Sequence, residues 1–200
     1  MNTKAIISTY DAIAIDYDKK YWQPSLRIFD FLQYMKPESL ILDTGCGAGN
    51  NSVFLSNFGH NIIGIDLSDN MLSIAKTKQS DAVFKKMDMC ELDFPRNYFD
   101  GVIASYSVCH LPKNKVLKFL QSVYDVSKTK AYFFIETYIG KSEEITITEP
   151  LNSELTIDFN IMSEQEINRL LKSAGFKILE IYSIESEFTG CKDVCIIAQK

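Results

Sequence analysis

A glycine-rich turn and three aspartates are the residues of this sequence whose types and spacing could do chemistry. In the stretch "ILDTGCGAGNNS", Asp43 stands shortly before glycines at positions 45, 47 and 49. Glycines let the backbone bend sharply and let a ligand approach without side chains in the way. Asp66 follows the apolar run "NIIGI", and Asp88 follows "AVFKKM". The pattern predicts a ligand-binding turn flanked by carboxylates.

The placement of these groups favours a ligand that contains adenosine. We expect Asp66 to accept hydrogen bonds from ribose hydroxyls and Asp88 to accept one from an adenine amino group. The glycine spacing is G-x-G-x-G, which is tighter than the G-x-G-x-x-G of dinucleotide sites, where a helix N-terminus faces a pyrophosphate. Asp43 would repel a pyrophosphate but suit an ammonium group. S-adenosylmethionine, which carries an ammonium and no phosphate, is therefore favoured over NAD.

Short, continuously apolar runs predict the strands that would position these residues. They are "LIL" before Asp43, "NIIGI" before Asp66, "GVIA" before Ser105 and "AYFFI" before Glu136. Such runs are typical of strands buried on both faces of a parallel sheet. "AVFKKM" predicts a weaker strand nearer an edge. Because the carboxyl ends of parallel strands share one edge, the aspartates should line one cleft.

Amphipathic helical patterns lie between the runs. "SDNMLSIAKTKQ" begins at a capping residue, Ser68, and "KNKVLKFLQSVYDVSK" has apolar residues at helical spacing. In "SEQEINRLLKSAGF", Ser163 and Glu166 predict a capping box and Gly175 predicts the end of the helix. Strands alternating with helices predict an α/β sheet with helices on both faces.

Three other segments depart from this alternation. "FKILEIYSI" and "DVCIIAQK" are joined by roughly "ESEFTGCK", which is too short for a parallel crossover, so we expect the last two strands to be antiparallel. Residues 1–36 are rich in aromatics and predict helices ahead of the sheet; we expect Trp22 to pack between helix and sheet. Residues 141–160 are acidic and β-branched, and we expect them to form an insertion over the sheet edge.

Bulk composition indicates one domain over residues 1–200. The chain is 46% hydrophobic and 24% charged, with a net charge of −5, an ordinary globular balance. We expect no nucleic-acid partner because no basic stripe is present. Acidic residues interrupt the N-terminal apolar residues and no run approaches a membrane span, so we expect a cytoplasmic protein without a membrane partner. The five cysteines form no C-x-x-C pair, and we expect no metal.

These segments together resemble the class I S-adenosylmethionine-dependent methyltransferases, particularly the small bacterial and archaeal type that acts on small molecules. "LILDTGCGAGNNSVFLSNFG" is similar to the first motif of that family, "IIGIDLSDNML" to the second and "DMCELDFPRNYFDGVIASYSVCHLP" to the third and fourth. "YDAIAIDYD" resembles the N-terminal signature Y-D-x-x-A-x-x-Y. The resemblance covers nearly the whole chain. It implies a Rossmann-like, doubly wound, seven-stranded α/β sheet that is mostly parallel and ends in an antiparallel hairpin.

The resemblance also implies how the cofactor would be held. Gly45 and Gly47 would pass under its methionine part, and Asp66 would bind its ribose. Leu67 and Met71 would flank the adenine. The remaining implied contacts are Asp88 and Met89 at the adenine edge, Ser105 near the sulfonium and Tyr17, which closes from the N-terminal helices.

The expected activity is SN2 methyl transfer to a small-molecule acceptor, with residues 1–36 and 141–160 setting the choice of acceptor. His110 is a candidate general base, with a structural role as its alternative; Glu136 and Tyr138 are comparably placed. Two other functions stay open. One is a non-catalytic S-adenosylmethionine-binding sensor or scaffold, and the other is an NAD-dependent oxidoreductase. We expect a monomer or a homodimer.

Overall fold

The computed structural model describes residues 1–187 and 190–200. These residues form nine strands: β1 (Leu40–Thr44), β2 (Asn61–Asp66), β3 (Val83–Lys86), β4 (Phe99–Ser105), β5 (Ser127–Ile139), β6 (Glu143–Glu149), β7 (Asn152–Ile161), β8 (Lys177–Glu185) and β9 (Lys192–Gln199). They also form six α-helices: α1 (Thr3–Lys20), α2 (Ile28–Leu32), α3 (Asn50–Asn57), α4 (Asp69–Thr77), α5 (Lys113–Val126) and α6 (Glu164–Ala174). A short 3-10 helix, Val108–His110, follows β4.

A seven-stranded sheet with the order β3-β2-β1-β4-β5-β9-β8 forms the centre of the molecule. The first five strands in this order are parallel, whereas β9 is antiparallel to both β5 and β8. The predicted fold class and the antiparallel C-terminal hairpin are therefore confirmed. The predicted weak strand is β3 and lies at the edge. Residues 188–189, within the predicted hairpin link, lie outside the described residues.

Burial on both faces explains why the strands of the sheet have continuous apolar runs. On one face, Phe133 of β5 belongs to a fully buried cluster with Phe119 of α5 and Leu171 of α6. On the other face, its neighbour Phe134 packs with Phe31 of α2. Burying a side chain of this size contributes about 1.5–3 kcal/mol. The sheet therefore holds its carboxyl edge rigidly in place.

Helix boundaries follow from capping groups that the sequence contains. Ser68 Oγ accepts a hydrogen bond from the Met71 amide at 3.1 Å at the start of α4. Ser163 does the same for the Glu166 amide at 3.2 Å in α6, which ends at Gly175. The capping box is only half formed, because the Glu166 carboxylate pairs instead with Lys113 at 2.8 Å.

Helix α1 and the β6–β7 hairpin are additions to the central sheet. Asp11 of α1 accepts hydrogen bonds from Ser68 Oγ at 2.5 Å and from the Asn70 amide at 3.1 Å, which ties α1 to the start of α4. Thr9 Oγ1 donates to the Thr156 carbonyl of β7 at 3.1 Å. The expected insertion at 141–160 is thus a two-stranded antiparallel sheet in contact with α1.

The two ends of that insertion lie side by side. The Gly140 amide donates to the Met162 carbonyl at 3.0 Å, and Ile139 forms a parallel bridge with Met162. The chain therefore leaves the edge of the central sheet at the end of β5 and returns to almost the same point before α6.

Two details differ from the sequence predictions. Trp22 is 64% exposed rather than packed in the core, because α1 ends at Lys20 and the chain leaves the helix ahead of Pro24. Strand β5 runs on to Ile139, where it pairs with Lys192 of β9, so Glu136 lies within the strand. Within the described ranges, none of the helices has the length and apolar character needed to cross a membrane.

Candidate functional site

The glycine-rich turn joins β1 to α3 and is fixed to the end of β2. The amides of Gly45 and Cys46 donate to the Ile65 carbonyl at 2.8 and 2.9 Å. Gly45 has φ 70°, and a Cβ at that position would lie 2.5 Å from the Ser107 Cβ. Gly47 has φ 52°, and no atom lies within 4 Å of the position of a Cβ there. The turn is therefore packed at Gly45 and faces open space at Gly47, where a ligand can approach.

Asp66 is held at the end of β2 by the backbone of the same region. Its Oδ2 accepts a hydrogen bond from the Gly47 amide at 2.8 Å, and its Oδ1 accepts one from the Ser68 amide at 2.9 Å. Burial raises the pKa of Asp66, and the amide hydrogen bonds oppose that shift. Because each carboxylate oxygen has more than one lone pair, Asp66 can accept further bonds from a ligand.

A first cavity opens beside the turn. The sequence predictions that line it are Tyr17, Gly45, Gly47, Asp66, Leu67, Met71, Asp88, Met89 and Ser105. The structure therefore brings nearly all of the predicted cofactor residues to one place, although they are spread from position 17 to position 105.

The chemical character of the first cavity fits an adenosine-containing group. Asp66 and Asp88 supply acceptors, while Leu67 and Met89 supply apolar surface, the mixture found in small-molecule sites. Asp88 is itself oriented by the Cys90 amide, which donates to its Oδ1 at 2.8 Å. Ser107 Oγ also lines this cavity and is buried without a hydrogen-bond partner among the described residues. Ser107 was not predicted, although it lies within the stretch that resembles the third and fourth motifs, because nothing in the sequence distinguishes it from the neighbouring Ser105.

Asp43 is the one predicted cofactor residue that lines a different cavity. This second cavity adjoins the first, and the walls they share include Gly45, Gly47 and Ser105. Asp43 is 2% exposed, and its Oδ2 accepts a hydrogen bond from Ser52 Oγ at 2.6 Å. Burial raises the pKa of Asp43 to about 7, although the Ser52 hydrogen bond opposes the shift.

Glu136 forms the polar wall of the second cavity near β4 and β5. Its carboxylate accepts hydrogen bonds from Ser105 Oγ at 2.6 Å and from Ser25 Oγ at 2.7 Å. Arg27 Nη1 lies 3.8 Å from the same carboxylate. Burial raises the pKa of Glu136, and these hydrogen bonds and Arg27 oppose the shift. The contributions of Ser25 and Arg27 were not predicted, because nothing in the sequence links them to β5.

His110 is engaged at both ring nitrogens. Nδ1 lies 3.1 Å from the Asp158 carbonyl, which only accepts, so Nδ1 carries the proton. Nε2, 2.7 Å from the Tyr10 hydroxyl, therefore accepts a hydrogen bond from Tyr10. Burial lowers the pKa of His110 to about 4, so the ring is neutral near pH 7. The oxygen of Tyr10, rather than His110 itself, is the acceptor that this pair offers to a ligand.

The candidate site shows no sign of a metal centre in the ranges that the structure covers. Residues 1–187 and 190–200 contain no group of three or more His, Cys, Asp or Glu side chains placed to hold a metal ion. Each of the five cysteines is a free thiol.

Residues 41–130 match the family model described as "Methyltransferase domain". The matched segment begins within β1 and ends within β5, and it contains the glycine-rich turn, Asp66 and Asp88. It therefore covers the parallel half of the central sheet and most of the first cavity.

Curated relatives extend the similarity at lower identity. A sterol 24-C-methyltransferase from Kluyveromyces lactis is 28% identical over 160 residues, which is 73% of this chain and 42% of that protein. An uncharacterised protein from Methanocaldococcus jannaschii is 26% identical over 205 residues, 90% of this chain and 79% of that protein. The chain thus spans about two fifths of the length of the sterol methyltransferase.

Solved structures confirm the fold. An S-adenosylmethionine-dependent methyltransferase structure from Methanosarcina mazei has a TM-score of 0.77 at 22% identity and covers 89% of this chain and 98% of that chain. The similarity extends beyond residues 41–130 and includes most of the chain.

Proposed function

We propose that this chain is a class I S-adenosylmethionine-dependent methyltransferase, as the match of residues 41–130 to a methyltransferase family model supports, and that it methylates a small-molecule acceptor bound in the second cavity. One observation carries the proposal: the first cavity, lined by the predicted cofactor residues, shares Ser105, Gly45 and Gly47 with the second. A donor group in the one would lie next to an acceptor in the other.

The residues of the first cavity fit the parts of the cofactor. When bound, S-adenosylmethionine supplies a methyl carbon that is activated by the adjacent positive sulfonium. Asp66 would accept hydrogen bonds from the ribose hydroxyls, and Asp88 would accept one from the adenine amino group. Leu67 and Met71 would cover the faces of the adenine. Asp43, which lies beside the turn in the adjoining second cavity, would pair with the ammonium of the methionine part.

The residues around the second cavity position the acceptor and exclude water. Tyr10 and Tyr17 of α1 and Phe159 of β7 line this cavity together with the turn. Orientation and exclusion of water are together worth about 7–11 kcal/mol of a reaction barrier in favourable cases. Ser105, held by Glu136, borders both cavities and marks the place where the two reactants meet.

Tyr10 and His110 orient a protonated acceptor. The Tyr10 hydroxyl donates its proton to His110, so its oxygen lone pairs are left to accept a hydrogen bond from an O–H or N–H of the acceptor. Burial raises the pKa of Tyr10, so the hydroxyl stays protonated. The His110 contact therefore fixes the direction of the Tyr10 hydrogen bond.

The walls of the second cavity support a small molecule as the acceptor. Its walls come from α1, the turn, β5 and the inserted hairpin. The name of the Kluyveromyces lactis relative describes methylation of a sterol, which is also a small molecule. The net charge of −5 supports the same choice, because a nucleic-acid acceptor favours a basic surface.

Calorimetric titration with S-adenosylhomocysteine, the product form of the cofactor, tests the first half of the proposal. We expect saturable binding of S-adenosylhomocysteine and none of NADH. Binding of NADH alone would overturn the cofactor assignment. Release of S-adenosylhomocysteine from S-adenosylmethionine with a panel of small acceptors tests the second half. Cofactor binding without turnover on any acceptor would favour a sensor or scaffold.

A further inference from the structure

Glu149 is a buried carboxylate in the second cavity that has no cationic partner. It stands at the end of β6 and is 7% exposed. One carboxylate oxygen accepts a hydrogen bond from the Leu151 amide at 3.0 Å. In the part of the chain that the structure describes, Glu149 forms no salt bridge. Burying an unpaired carboxylate is unfavourable, so its position calls for a partner.

The other charges around this cavity are already matched. Among the described residues that line it, Arg27 is the one lysine or arginine, and it lies 3.8 Å from the Glu136 carboxylate. Asp43 faces the turn, where the proposed function places the ammonium of the cofactor. His110 is neutral because burial lowers its pKa to about 4. Glu149 therefore leaves one uncompensated negative charge in the acceptor cavity.

Aromatic rings line the second cavity together with Glu149. Tyr10 and Tyr17 have ring centroids 5.7 Å apart, and the charge of Glu149 contributes to the raised pKa of both hydroxyls. Tyr106 and Tyr138 have ring centroids 5.1 Å apart, and Tyr138 and Phe159 have centroids 5.7 Å apart. The ring centroids of Phe159 and His110 lie 4.8 Å apart. Aromatic faces attract cations through their quadrupoles, especially where water is excluded.

We propose that the methyl acceptor carries a cationic amine, which pairs with Glu149 in this cavity with aromatic walls. This inference rests on the proposed function, since it concerns the acceptor of that reaction. It assigns Glu149 the binding of the charged group and leaves the atom that is methylated open. Of the acidic residues in 141–160, Glu149 is the one that is both buried and part of the cavity wall.

Three probes that share one ring and differ in charge test the inference. Benzylamine is a cation near pH 7, benzyl alcohol is neutral and benzoate is an anion. Calorimetry would measure the affinity of each for protein saturated with S-adenosylhomocysteine. We expect benzylamine to bind at least about tenfold more tightly than the other two, the scale of a charge-assisted hydrogen bond.

Substitution of Glu149 shows whether that residue is responsible. Glu149→Gln should remove the preference for benzylamine, with little change for benzyl alcohol and unchanged affinity for S-adenosylhomocysteine. The matched control is Glu154→Gln, an exposed position on the same hairpin, which should keep the preference. Retained S-adenosylhomocysteine binding also verifies that the variant is folded.

The outcomes separate the two proposals. Loss of S-adenosylhomocysteine binding in the unmodified protein would count against the proposed function itself. If S-adenosylhomocysteine binds but benzylamine does not bind, binds no better than benzyl alcohol, or binds less tightly than benzoate, the amine inference is overturned. A preference for benzylamine that survives Glu149→Gln would also overturn it.

Discussion

The Asp66 carboxylate forms hydrogen bonds within the protein in addition to those proposed with the ligand. Its oxygens accept hydrogen bonds from the amides of Gly47 and Ser68, and these bonds fix the turn relative to β2. The ribose would be held by the lone pairs that remain. A change at Asp66 therefore acts on the ligand directly and also on the shape of the turn that faces it.

Asp66→Ala should weaken S-adenosylhomocysteine binding by about 1.5–3 kcal/mol, the scale of hydrogen bonds to a charged group. This corresponds to about 10–150-fold in the dissociation constant measured by calorimetry. Asp69→Ala is the control, because Asp69 is nearby but its side chain is 69% exposed. An unchanged affinity in Asp66→Ala would show that the ribose assignment is wrong.

Asp43 predicts a pH dependence of cofactor binding. Its pKa in the folded protein is about 7, whereas it is about 3.9 in an unfolded chain. The ammonium of the cofactor prefers the ionised carboxylate, so the affinity for S-adenosylhomocysteine should rise as pH increases through 7. Between about pH 6 and pH 8 the ionised fraction, and with it the affinity, should grow up to about tenfold.

The same shift has the opposite effect on the stability of the free protein. The folded state binds the proton of Asp43 more tightly than the unfolded state, so this group contributes stability at low pH that is lost as pH rises toward 7. Asp43→Asn should flatten the pH dependence of affinity, which calorimetry at several pH values would measure. A pH profile that is unaltered in Asp43→Asn would contradict the assignment.

At the scale of elements, helix α1 is joined to α4, which packs on the edge of the central sheet, and to the inserted hairpin. Asp11 ties it to the start of α4, and Thr9 ties it to β7 of the insertion. Residues of α1 that line both cavities, including Tyr10 and Tyr17, are positioned by the packing of Ala14 against Ala48 and Met71 and by these polar contacts. Such contacts can break without unfolding the core.

Asp11→Ala should loosen α1 and speed the dissociation of S-adenosylhomocysteine, although Asp11 does not line either cavity. The expected effect is several-fold, since the variant loses hydrogen bonds worth about 1.5–3 kcal/mol when one partner is charged. Stopped-flow dissociation would give the rate, and hydrogen exchange over residues 3–20 would show the loosening. Asp16→Ala, at a side chain that is 65% exposed on the same helix, is the control. Equal rates in both variants would rule out this role of the α1–α4 contact.

At the scale of the whole molecule, ligand binding should stabilise the folded state by mass action. At a concentration of S-adenosylhomocysteine about 100-fold above its dissociation constant, the gain is about 2.7 kcal/mol. For a domain of this size, about 1 kcal/mol raises Tm by about 2–4 °C, so we expect a rise of several degrees in a thermal melt. NADH at equal concentration is the control and should leave Tm unchanged. A rise with both ligands would point to a nonspecific effect.

The sequence was a good guide to the fold and to the first cavity for one physical reason. The apolar runs of β1, β2 and β4 are continuous rather than alternating, which indicates strands buried in a parallel sheet, and the polar residues that follow them must then share an edge. Asp66 and Ser105 end two of these strands, and Asp88 follows the weaker strand β3. Their meeting follows from local patterns plus the topology of the sheet.

The second cavity could not be predicted in the same way. Ser25 meets Glu136 across 111 positions, and Tyr10 meets His110 across 100 positions. Contacts at that separation depend on how α1 and the insertion are packed, and no periodicity in either segment specifies it. The prediction that Trp22 packs between helix and sheet was wrong for a related reason. An aromatic side chain favours burial, but Trp22 follows the end of α1 and is exposed there.

The insertion between Gly140 and Met162 begins and ends at neighbouring points of the fold. Gly140 and Met162 are hydrogen bonded to each other, so the segment between them closes on itself without passing through the core of the sheet. A designer who exchanged 141–161 for another hairpin would have to match this junction and the hydrogen bonds that the hairpin makes with Thr9 and His110. The order of strands in the central sheet would stay as it is.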